Sequence, residues 1–143
     1  TASLLRKAGI NLEVQAMDWS TLTSRRAEKK SIADGGWNIF HTSWIAPDLL
    51  NPVANIGVSG GGVEKAWFGW PTDAKVEELR QAFARETDPA KQKDLADQVQ
   101  ARAMDVVTYV PIGQYLSKYA YRSDRLQGIL KGPVPLFWNL SAK

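Results

Sequence analysis

Asn11-Leu12-Glu13-Val14-Gln15-Ala16-Met17, then Asp18-Trp19, then Asp34-Gly35-Gly36 and Trp37-Asn38-Ile39-Phe40-His41-Thr42-Ser43-Trp44, is the stretch that decides how this chain reads. In residues 11–17, Leu12, Val14 and Ala16 alternate with Glu13 and Gln15, the period of a strand with one buried face. Asp18 stands where a helix N-cap should, ahead of Trp19, Leu22 and Arg26 at helical spacing, and Asp34-Gly35-Gly36 ends that helix. Residues 37–44 carry apolar side chains on both faces, as a buried strand would. Strand, helix and strand over residues 11–44 predict a βαβ unit with a right-handed crossover, and so an α/β fold.

Upstream, Thr1-Ala2-Ser3-Leu4-Leu5-Arg6-Lys7-Ala8-Gly9 reads as the last two turns of a helix closed by a C-terminal glycine. A chain that opens inside a helix, without Met, is expected to be a piece of a longer protein, with any targeting signal lying in the earlier part.

Downstream, residues 45–71 are rich in Gly, Asn and Pro and have no period, yet carry Trp67 and Trp70. A run of this length without regular structure is functional or disordered, and its aromatic content argues against disorder. Four of the six tryptophans (Trp37, Trp44, Trp67, Trp70) are threaded through Gly35-Gly36, Pro47, Asn51-Pro52, Gly60-Gly61-Gly62 and Pro71. Each indole offers a wide apolar face and one N–H donor with few bonds to freeze, so the cluster suggests a ligand-facing wall, against the plainer reading that the rings fill a core. Asp48 beside Trp44 could hold a cationic group or could simply be a turn residue.

Thr72 or Asp73 caps a helix with Val76, Leu79 and Phe83 on one stripe, and Asp88-Pro89 opens a second with Leu95, Val99, Ala103 and Val106 inward. The short link between them predicts an antiparallel hairpin. Beyond Val107 the pattern is extended: residues 109–112, then Tyr115, Ser117, Tyr119 and Tyr121 on one side, with Pro111 marking an edge or entry position. Residues 132–138 form an apolar strap.

The chain of 143 residues is 44% hydrophobic, enough for one soluble domain with a core, and no apolar run is long enough to span a bilayer. The absence of cysteine excludes disulfides, thiolate metal sites and thiol catalysis. The net charge of +3 is unevenly spread: from Glu64 to Asp105 acids outnumber bases nine to seven, and from Val106 to the end bases outnumber acids five to one. The densest basic group, Arg25-Arg26 with Lys29-Lys30, has the spacing of a solvated helix face and not of a nucleic-acid stripe with stacking aromatics, so no nucleic-acid partner is expected.

Gly57-Val58-Ser59-Gly60-Gly61 fits the G-x-S-x-G nucleophile elbow and raises the alternative of a serine hydrolase built on Ser59, His41 and Asp48. The context argues against it. Asn51-Pro52 stands where a strand should lead in, no capped helix follows, and the only histidine precedes the serine, whereas hydrolases of this type place it after. His41 has no second ligand at metal-binding spacing, so neither metal nor cofactor is expected.

The order Leu4-Leu5-Arg6-Lys7-Ala8-Gly9-Ile10, Met17-Asp18-Trp19, Gly36-Trp37-Asn38-Ile39-Phe40, Phe68-Gly69-Trp70-Pro71, Pro111-Ile112-Gly113-Gln114-Tyr115 and Phe137-Trp138-Asn139 resembles the C-terminal part of the family 5 extracellular solute-binding proteins. These are the periplasmic dipeptide, oligopeptide and nickel receptors of ABC importers, and the likeness runs over nearly the whole chain. It implies a type II two-lobe fold closing over a solute and delivering it to a membrane permease outside the cytoplasm. Residues 1–143 would be the second lobe, the first lobe would lie in the earlier part of the protein, and residues 133–143 would strap back to it.

Carried over residue by residue, the family's strand ending in Trp before an acidic, proline-containing loop matches Thr42-Ser43-Trp44 and residues 45–51. In the dipeptide receptors an aspartate of that loop holds the peptide's α-amino group. Here the third position after the tryptophan is Pro47, and the acid follows at Asp48, which leaves room for another amphipathic or cationic solute. The resulting candidates are Trp44 and Trp67 as walls, Asp48 as counter-charge, and Asn51 and Tyr115 as hydrogen-bonding groups, in a binding protein and not an enzyme.

Overall fold

A helix begins where a side chain can satisfy its first orphan N–H groups, and three aspartates do so here. A computed structural model describes residues 1–143. In chain order it contains helices α1 (Ala2–Lys7) and α2 (Trp19–Arg25), a 3-10 turn at Ile32–Asp34, α3 (Ala46–Leu49), a 3-10 turn at Ile56–Val58, α4 (Gly62–Lys65), α5 (Ala74–Arg85), α6 (Pro89–Val106), and two short strands, β1 (Leu126–Gln127) and β2 (Ser141–Ala142). Asp18 accepts from Thr21 N–H at the start of α2, Asp73 from Val76 N–H at α5, and Asp88 from Ala90 and Lys91 N–H at α6. The architecture is mixed: mainly helical, with a small two-stranded sheet.

The chain divides into two units, Thr1–Thr42 and Ser43–Lys143. In the second, α5 packs along α6 as the expected antiparallel hairpin. Val76 and Leu79 from α5 and Val99 and Ala103 from α6 are buried, and Val58 from the preceding loop joins their core with Leu95 and Tyr109 packed against it. The link is closed by Glu86, whose carboxylate accepts the N–H groups of Thr87 and Asp88 at 2.8 and 2.9 Å. The α6 helix ends on Val107, held in the left-handed region at φ 55°, a conformation that costs a β-branched residue more than glycine. Past it, residues 109–121 form no strand; the chain regains order where β1 pairs antiparallel with β2, Leu126 opposite Ala142 and Gln127 opposite Ser141. The 132–138 segment is part of this turn-back, bridging Leu130 to Leu136, while Phe137 and Trp138 remain exposed.

The βαβ unit expected over residues 11–44 does not form. Its helix is present but short, α2 followed by the 3-10 turn, while residues 11–18 and 36–45 belong to no strand. No backbone N–H of residues 11–17 donates to a backbone carbonyl. Alternation records which side chains share a face, but a strand also needs a neighbour supplying a ladder of hydrogen bonds, and these two runs do not supply it to each other. Instead both line one cavity of about 480 Å³ within the first unit, between Leu12, Val14, Met17, Trp37, Ile39 and Phe40. Side chains tie the cavity walls together. Arg25 bonds the Gln15 side chain and donates to Gly36 O at 3.1 Å, and Trp37 Nε1 donates to Arg26 O at 3.1 Å.

Candidate functional site

The aromatic loop is built outward from α5. Arg80, whose side chain is 13% exposed, donates from Nε to Pro52 O at 2.9 Å and from Nη2 to Val53 O at 3.0 Å. Its Nη1 pairs with Glu77 Oε1 at 2.6 Å, and the same oxygen accepts Gly60 N–H at 2.8 Å. The returning end of the loop is held by backbone: Asp73 N–H donates to Gly60 O, Gly62 N–H donates to Pro71 O, and Gly61 bridges Thr72. That approach is so close that a Cβ on Gly60 would stand 2.5 Å from Asp73 O, which is why the position needs glycine. Gly62, at φ 70°, needs it for its backbone angle as well.

On this frame Trp44 and Trp67 meet edge to face, with ring centroids 5.2 Å apart at 70°, and Phe68 lies 5.5 Å from Trp67. Trp44 is 38% exposed and Trp67 half-buried, so the pair presents aromatic surface while supporting itself. These two are the predicted site residues that the structure brings together. Asp48 lies exposed in the first turn of α3, one turn of chain beyond Trp44. The Asn51 side-chain oxygen accepts from Val53 and Ala54 N–H, shaping the turn that Arg80 grips. Tyr115 sits in the irregular 109–121 segment and is 71% exposed. Trp37, read with the other tryptophans as one cluster, belongs to the first unit, where it meets Phe40 at 4.8 Å and 86°.

The hydrolase alternative finds no support. Ser59 follows the 3-10 turn in ordinary extended backbone, φ −73° and ψ 142°, without the strain of a nucleophile elbow. It is buried to 3% exposure and its hydroxyl has no hydrogen-bond partner, so no base is in place to activate it. The glycine run has a packing explanation: Gly60 lies against the Asp73 backbone, Gly61 against Lys65 and Ala66, and Gly62 has a left-handed backbone beside the Thr72 side chain. No group of His, Asp and Glu side chains gathers as a metal site would require.

Two elements of the site carried weak sequence signals. Glu77 and Arg80 lie three apart on α5 and look like an ordinary solvated ion pair until the loop is folded over them. Asp73 caps α5 and also receives Arg102 of α6 at 2.6 Å, locking the base of the loop to the hairpin. The Arg102 guanidinium and the Val76 N–H hold the Asp73 carboxyl below its ordinary range, and Asp73 in turn raises Arg102.

No family model matches the chain. The chain is 37% identical over 139 residues, 97% of its length, to a probable peptide ABC transporter periplasmic-binding protein, y4tO, of Sinorhizobium fredii (strain NBRC 101917 / NGR234). The chain is homologous to an ABC-transporter periplasmic-binding protein. It spans 26% of that relative's length. The resemblance read from Met17-Asp18-Trp19 and Phe68-Gly69-Trp70-Pro71 thus corresponds to a likeness running through the whole chain. No helix is long and apolar enough to cross a membrane.

Proposed function

We propose that this chain is part of an extracytoplasmic solute receptor of the family 5 type, which binds a peptide or another small amphipathic or cationic solute and hands it to an ABC permease. The observation that carries the reading is the 37% identity, along 97% of the chain, to a probable peptide ABC transporter periplasmic-binding protein. The Trp44–Trp67 pair, with Trp44 exposed and Trp67 half-buried on a loop pinned from beneath, supports it, because a receptor needs rigid apolar area that loses little entropy on binding. In this proposal Trp44 and Trp67 are one wall, Asp48 is the counter-charge to an amino or other cationic group, and Asn51 and Tyr115 contribute polar contacts. The facing wall comes from a first lobe, and closure between the lobes encloses the solute.

Calorimetry with a panel of short peptides tests the proposal on the protein with both lobes. Trp44→Ala is expected to weaken binding by about 1–3 kcal/mol, the usual cost of removing an aromatic anchor, while the thermal transition stays cooperative. Asp48→Asn is expected to weaken peptides with a free amino terminus and to leave acetylated ones unaffected. Unchanged affinity in Trp44→Ala would remove the loop from the binding site.

A further inference from the structure

The loop that carries the aromatic pair has almost no regular structure of its own. Between Trp44 and Trp67 lie one turn of α3, one 3-10 turn and one turn of α4, none long enough to be stable alone. Besides the backbone bonds of Gly60 and Gly62 and the burial of Val58, a small set of side-chain bonds to α5 fixes its course. Arg80 spends its planar fork on two consecutive carbonyls, Pro52 and Val53, and its remaining Nη on Glu77. Glu77 uses one carboxylate oxygen twice, for Arg80 and for Gly60 N–H. One side chain thus holds the outgoing limb of the loop, the other holds the returning limb, and the ion pair ties the two together.

We propose that Arg80 and Glu77 are positioning residues for the aromatic site: by fastening both limbs of the 45–71 loop to α5, they set the edge-to-face meeting of Trp44 and Trp67. Neither touches that pair in a ring contact; they act through Pro52, Val53 and Gly60. The chemistry explains the residue types. A guanidinium presents donors in a fixed plane that can reach two adjacent carbonyls and a carboxylate at once, whereas the three donors of an ammonium radiate from one nitrogen and cannot span the same set. With Arg80 buried to 13% exposure, removing it also leaves two carbonyls and a carboxylate short of a partner. The effect on solute affinity rests on the receptor reading above, but the effect on ring geometry does not.

Near-ultraviolet circular dichroism of the full protein reads the ring geometry. The contribution of the Trp44–Trp67 pair is the difference between the wild type and Trp67→Phe. Arg80→Ala is expected to abolish most of this difference while helicity and a cooperative transition are retained. Arg80→Lys is expected to restore part of it, and Glu77→Gln, which keeps an acceptor for Gly60 but not the charge for Arg80, to fall between. Affinity for a tripeptide such as Ala-Phe-Ala is expected to drop on the order of tenfold in Arg80→Ala, as loss of preorganisation would give. A full pair signal in Arg80→Ala overturns the proposal whatever happens to affinity. If Arg80→Ala does not fold, Arg80→Lys and Glu77→Gln decide it by the same signal, a full pair signal in both overturning it. If the wild type binds no tripeptide, the receptor reading loses its support while the dichroism still judges the clamp.

Discussion

The α5–α6 hairpin and the cavity-lining runs of the first unit are held together in opposite ways. In the hairpin most requirements are met by residues close in the chain: a cap at each start, a link closed by Glu86, and Leu79, Val99 and Ala103 in one core that Val58 joins from the loop. Residues 11–17 and 36–41 have a comparable apolar content but face a cavity, joined through side chains such as Arg25 and Trp37 instead of through a ladder. A helix satisfies its backbone internally and needs only an apolar partner for one face, whereas a strand has an unmet backbone until another strand arrives. The first kind of element can stand on local information; the second cannot.

The largest expected effect comes from breaking the self-sufficient side. Leu79→Ala should destabilise the second unit by about 2–5 kcal/mol, the range for truncating a buried leucine, measured by denaturant unfolding followed through helicity. A cost confined to a few tenths would mean that the hairpin leans on something other than its apolar seam.

Gly60→Ala probes where the loop meets the hairpin. The new methyl collides with Asp73 O, and a cost of roughly 1–3 kcal/mol is expected, as for other forced contacts in packed sites. Equal stability would show that the loop can lift from α5 freely, contrary to the Glu77 and Arg80 bonds. Val107→Gly works in the opposite direction. Relieving a β-branched residue at φ 55° should raise the hairpin's stability by about 1 kcal/mol, visible as a higher transition temperature, since the Val107 side chain is 58% exposed and loses little packing.

The smallest effect is in the acid limb. Asp73 and Asp18 both have carboxyl values held below the ordinary one, Asp73 mainly by Arg102 and Asp18 mainly by the Thr21 hydroxyl. A depressed value in the fold means stability fully present above the ordinary carboxylate range and lost as pH falls through the depressed value. Asp73→Asn should flatten that loss in the helicity of the hairpin, and Asp18→Asn in the fluorescence of Trp19 and Trp37 in the first unit. A single variant that flattened both would show the two units titrating as one.

Much of the hairpin was legible beforehand because Asp73, Asp88-Pro89 and the Val76–Leu79 and Leu95–Val99–Ala103 stripes each act within a turn or two of chain. The helix start at Asp18 and the glycine close after α1 were legible for the same reason, with Gly9 at φ 83°. Within the candidate site the sequence named Trp44 and Trp67 but not their meeting, and it passed over Arg80, whose partners lie 28 and 27 residues away. The sequence context already argued against the GxSxG match, and the fold supplies the neighbour of Gly60, the Asp73 backbone, which the sequence did not name.

What the sequence determined by itself was therefore α1, the start of α2, the capped hairpin of α5 and α6 and the likeness to a solute-binding protein, all of them written in short-range spacing or in ordered similarity along the chain. The tertiary structure alone decided that residues 11–17 and 36–41 would face a cavity and not pair, that Ser59 would be sealed without a base, and that Arg80 and Glu77 would hold the aromatic loop. Each of those outcomes depends on which backbone groups meet across long separations, and side-chain periodicity carries no record of such meetings.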